Sequence, residues 1–99
     1  MKTHKYKFKV DYVEDKEGST LNKSINFDMQ THDEIFTVIE KMRAKFELDS
    51  EVAKRTFTAL KLFGETMDAN IEHPFFKAVK PHFMQIRKIV KGGVNLEQN

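Results

Sequence analysis

The sequence predicts an α+β fold, an N-terminal antiparallel β-hairpin followed by three or four packed helices in the order ββααα(α). Polar and apolar residues alternate over residues 5–12 and again over 21–29, the period of two expected of half-buried strands. From Ile35 onward the apolar residues recur instead at steps of three to five, the spacing of amphipathic helices. Gly18 falls between the two alternating runs, and the Gly92–Gly93 pair follows the last helical one.

In KYKFKVDYV, Tyr6, Phe8, Val10 and Tyr12 share one face, and Lys5, Lys7, Lys9 and Asp11 the other. The polar segment EDKEGST supplies a fairly long turn in which Gly18 can take positive φ. Leu21, Lys23, Ile25, Phe27 and Met29 then alternate with Asn22, Ser24, Asn26 and Asp28, which completes the hairpin.

The first helix is expected to begin at Thr31, just before Ile35, Val38, Ile39, Met42 and Phe46. Thr31 and Glu34 have the spacing of a capping box, in which the threonine oxygen accepts from the Glu34 N–H while the glutamate reaches back. Asp33 would sit in the first turn, where the helix dipole favours an anion, and His32 is read as a surface residue.

The second helix is capped by Asp49 or Ser50 and presents Val52, Phe57, Leu60, Phe63, Met67 and Ile71. Gly64 lies on that same side. A glycine there costs up to about 1 kcal/mol against alanine, so a close packing contact is expected to compensate. Lys61 and Glu65 are spaced to pair on the flank.

The last apolar stripe runs through Phe75, Phe76, Val79, Phe83, Ile86, Ile89 and Val90, opened by Pro74 and interrupted by Pro81. Proline disfavours helical geometry at the residue before it, so the spacing predicts helices over 74–80 and 81–91, or one helix continuing through a kink. A single domain is expected over residues 1–92, with 93–99 a mobile tail.

Composition narrows the function classes. The chain has 99 residues, 39% of them hydrophobic and including nine phenylalanines, so a packed core is feasible and disorder is not indicated. Without cysteine there is no disulfide framework or thiolate zinc site, which suits a reducing compartment, and a cytoplasmic location is expected. No stretch approaches the roughly 18 apolar residues of a spanning helix, so no membrane association is expected.

His4, His32, His73 and His82 form no helical chelate pair, and neither a nucleophile elbow nor a phosphate loop is present. No catalytic residue, metal ligand or cofactor is therefore assigned, and the chain is read as non-enzymatic. His73 and His82 flank the prolines, where solvated or capping roles are expected. The phenylalanines at helical spacing are read as core rather than as the lining of a ligand pocket.

Charge is uneven along the chain. Residues 31–72 carry three more acids than cations, while residues 73–99 carry five cations against Glu97. Lys77, Lys80, Arg87, Lys88 and Lys91 are accordingly candidate contacts for an anionic partner, although the same asymmetry arises when two segments neutralise each other.

At HDEIF, LKLFGE and HPFF followed by a basic helical tail, the chain resembles a small bacterial family known only as a domain of unknown function. The resemblance covers chiefly residues 31–91 and implies a bacterial cytosolic protein of similar fold. It brings no catalytic or binding residues. Function is instead argued from architecture: a two-stranded hairpin has unpaired edges, which predicts a homodimer or an unidentified protein partner. Nucleic-acid binding through the basic C-terminal helix is the alternative reading.

Overall fold

The structure is a computed structural model that describes residues 2–92. The chain forms an antiparallel hairpin followed by three helices, in two compact units that meet in sequence between His32 and Asp33.

In the first unit, β1 (His4–Glu14) and β2 (Thr20–Thr31) form a two-stranded sheet. Phe8 lies opposite Phe27, Val10 opposite Ile25 and Tyr6 opposite Met29, so the alternating apolar residues of both strands share one face. The Phe8 and Phe27 rings stack with centroids 5.3 Å apart.

The turn is tighter than its composition suggested. Asp15 N–H donates to the Ser19 carbonyl at 2.9 Å and Gly18 N–H to the Asp15 carbonyl at 3.1 Å, while Gly18 takes φ +83°. The Asp15 carboxylate accepts from the N–H groups of Glu17 and Ser19, leaving Lys16, Glu17 and Gly18 as the loop. Between Tyr12 and Glu14 the register slips by one residue, because β2 spends Leu21 and Asn22 opposite the single residue Val13.

The second unit contains α1 (Ile35–Phe46), α2 (Ser50–Ala69) and α3 (Pro74–Gly92). The expected capping box is not formed. Thr31 instead pairs with His4 at the end of the sheet, and Glu34 is itself the N-cap: its backbone is extended and its carboxylate accepts from Thr37 N–H at 2.7 Å. Strand pairing carries β2 into Thr31, which the motif required, so the N-cap of α1 falls three positions later than expected.

α1 closes in a Schellman motif, with Glu47 N–H donating to Ala44 and Leu48 N–H to Arg43 while Glu47 takes φ +53°. Asp49 caps α2 by accepting from Glu51 N–H, as expected of that position. The buried face of α2 consists of Ala53, Phe57, Gly64 and Met67. Val52, expected on this face, is exposed, and its neighbour Ala53 takes the buried position.

α3 runs unbroken through Pro81. Proline cannot donate to the Lys77 carbonyl, yet its fixed φ is helical and packing spans the gap. Phe63 of α2 meets Phe76 before the proline and Phe83 after it, at centroid separations of 5.9 and 5.2 Å. At its start His73 Nδ1 accepts from Phe75 N–H, the capping role anticipated for that histidine. The segment 93–99, expected to be a tail, lies outside the described residues.

Candidate functional site

The helical unit contains a cleft of about 500 Å³ between its three helices. Val38 and Met42 of α1, Phe57 and Leu60 of α2, and Phe83 and Ile86 of α3 supply its apolar walls. The residues expected to form a simple core thus enclose a space as well. Periodicity identifies which side of each helix turns inward, but not how far apart the helices stand.

Gly64 brings α3 close to α2. A Cβ on Gly64 would meet Arg87 Nη2 at 2.9 Å and Phe83 Cε2 at 3.1 Å, which is the packing contact that the glycine's position anticipated. Arg87 is held from several sides: its guanidinium donates to both oxygens of Asp68 at 3.3 and 2.8 Å, reaches the Gly64 carbonyl at 3.4 Å and lies over the Phe83 ring at 5.0 Å.

The ends of the cleft differ in charge. Lys45 lies at one of them, where its ammonium donates to the carbonyls of Val90 and Lys91 at 2.8 Å each, in the last turn of α3. That turn is where a helix dipole favours a cation. Lys91 lines the same end. Further along α2, Lys61 is paired with Asp33, not with Glu65 as its helical spacing had suggested. Asp33 lies just ahead of α1 and not in its first turn, a position from which it reaches across to α2.

All five candidate anion contacts lie on α3, but their surroundings differ. Arg87 is neutralised by Asp68, and Lys77 is paired with Glu72 at 3.4 Å. Lys80 and Lys88 are exposed, and Lys91 borders the cleft. Lys45 was not singled out from the sequence, and Asp33 and Lys61 were given local helix roles there, because each acquires its setting from a residue distant along the chain.

Among the described residues no group of three or more His, Asp or Glu side chains could hold a metal ion. No helix among them is long and apolar enough to cross a membrane.

A family model described as a domain of unknown function with a solved structure, DUF3861, matches residues 4–91. The fold is similar to that in the crystal structure of a protein of unknown function from Pectobacterium atrosepticum. That structure aligns with a TM-score of 0.76 at 27% identity, over 92% of this chain and 99% of the other. No curated protein matches.

Proposed function

The chain belongs to the DUF3861 family, an uncharacterised bacterial family, and we propose that it acts as a non-enzymatic protein-interaction module that assembles as a homodimer through its hairpin. The observation that carries this reading is the state of the sheet. Among the described residues it has two strands, each with an open edge, and Val10, Tyr12, Ile25 and Phe27 on its apolar face are all exposed, Ile25 to 61%.

Side chains of this kind gain about 25 cal/mol for each Å² of apolar surface removed from water. An isolated hairpin of this kind is marginal, and edge pairing with a second copy would convert it into a four-stranded sheet with two fewer open edges. The absence of cysteine suits work in the reducing cytoplasm.

Light scattering across a dilution series is the test. The expected result is a species of twice the 11.6 kDa chain mass that Ile25→Lys converts to monomer without loss of helical circular dichroism. A monomer at every concentration, or a dimer indifferent to Ile25→Lys, would refute the assignment.

A second reading rests on Lys80, Lys88 and Lys91, which carry no ion pair among the described residues and share α3 with Lys77 and Arg87. In that reading α3 contacts nucleic-acid phosphates, and affinity falls steeply with salt. The pairing of Lys77 and Arg87 with acids makes this the weaker of the two. Salt-sensitive recovery of nucleic acid, with no dimer, would reverse the order.

A further inference from the structure

We propose that the cleft between α1, α2 and α3 is a binding site for a medium-chain aliphatic carboxylate, with its headgroup at Lys45 and Lys91 and its tail directed toward Gly64. The proposal is independent of the homodimer reading, because every residue it uses belongs to the helical unit.

Size and lining come first. The cleft volume of about 500 Å³ lies within the range of small-molecule sites, roughly 300–1,000 Å³. Its walls are apolar, with Val38, Met42, Leu60 and Ile86 half-buried or exposed around the opening. Such walls favour an aliphatic body over a sugar or a nucleotide, whose hydroxyls would be left without partners.

Charge then selects the headgroup. Lys61 is already paired with Asp33 and Arg87 with Asp68, so neither offers an uncompensated charge. Lys45 differs because its partners are carbonyls: two of its N–H donors are spent on Val90 and Lys91, which fixes the ammonium in place, and a further donor remains for a ligand oxygen. With Lys91 beside it, this end of the cleft is cationic and suits a single carboxylate.

The opposite end limits the length of the tail. Phe57 stacks on Phe46, next to Lys45 in sequence, and therefore marks the cationic end along α2. Glu65 lies eight residues further on, a rise of roughly 12 Å at 1.5 Å per residue, close to the Lys61–Asp33 pair. A tail that fills the apolar stretch between these ends is accommodated. A much longer one would press its methyl terminus against charged groups.

The test is a titration of the full chain with decanoate, 1-decanol and decylammonium, followed by methyl NMR. Saturable decanoate binding is expected to shift the methyl signals of Val38, Met42, Leu60 and Ile86, with decanol weaker by about tenfold because it forgoes the charged hydrogen bond. Lys45→Met is expected to remove the preference for decanoate over decanol. Should that variant loosen α3, Lys91→Met serves as the second, and it is expected to reduce the same preference.

Equal binding of decanol or decylammonium, no saturable binding, or shifts confined to Val10 and Ile25 would each overturn the proposal. So would cleft methyl shifts that follow protein concentration without added ligand, since a second copy would then occupy the cleft.

Discussion

Replacing Gly64 with alanine sets two effects of similar size against each other. Helix propensity favours alanine over glycine by about 1 kcal/mol in a helix interior. Against this, the new Cβ falls 2.9 Å from Arg87 Nη2 and 3.1 Å from Phe83 Cε2. The guanidinium is the end of a flexible side chain, and moving it forfeits a surface pairing with Asp68 worth about 0–1 kcal/mol. Phe83 has less freedom, being only 5% exposed and in ring contact with Phe63 at 5.2 Å.

Overpacking of this kind costs about 1–3 kcal/mol. The balance for Gly64→Ala is therefore a destabilisation of about 1 kcal/mol, read as a lower urea midpoint at an unchanged slope in far-ultraviolet circular dichroism. A double-mutant cycle isolates the cause. In a Phe83→Leu background the clash is relieved, and Gly64→Ala is expected to become neutral or stabilising, with a coupling of about 0.5–3 kcal/mol. If the single substitution stabilises the protein by the full propensity gain of about 1 kcal/mol, Phe83 can give way freely and the argument for a required close approach is wrong.

The other expected outcomes concern the ends of α1. Glu34→Ala should cost about 0.5–2 kcal/mol in chemical denaturation, while Glu34→Asp, which keeps a capping carboxylate, should cost less. Equal losses from the two would rule out capping as the role of Glu34. Glu47→Gly should stabilise by about 0.5–1 kcal/mol, since a non-glycine residue in the left-handed region is strained by about 1–2 kcal/mol and part of that gain is returned to unfolded-chain entropy. A lower melting temperature for that variant would show that the Glu47 side chain contributes more than its backbone costs.

How far the sequence determined these results varies from element to element. The hairpin was legible because a period of two has no helical counterpart, and because Gly18 marks the turn. The bulge opposite Val13 was not legible, since a single extra residue in β2 leaves the local composition unchanged. Thr31 and Glu34 fitted a local motif, but a long-range partner, His4, extended the strand into it. The choice between Val52 and Ala53 failed for a related reason. Adjacent positions lie about 100° apart on a helix, and hydrophobicity favours the larger side chain, whereas the helix turns Ala53 inward and leaves Val52 41% exposed.

The candidate site shows the same division. Helical spacing put Phe57, Leu60, Phe83 and Ile86 on inward faces, but the room between those faces depends on interhelical distance, which no single-helix pattern encodes. Lys45 could not be singled out because its partners are backbone carbonyls 45 and 46 residues away, and carbonyls have no signature in composition.

The charge asymmetry finds a partial explanation in the ion pairs. Asp68 and Glu72 belong to the acidic middle segment, and they hold Arg87 and Lys77 of the basic terminal one, so part of the imbalance along the chain is neutralised within the fold. This was the alternative to an anionic partner, and it accounts for two of the five candidate cations. Neither pair is deeply buried, with side-chain exposures of 38% and 55% for Arg87 and Asp68, so their energetic value is small and salt-dependent. Their consequence is mainly for recognition, because a cation already facing a carboxylate is a poor anchor for another anion. An anionic ligand is left with the cations that carry no ion pair among the described residues, and of these Lys91 and the carbonyl-held Lys45 also border an apolar cleft.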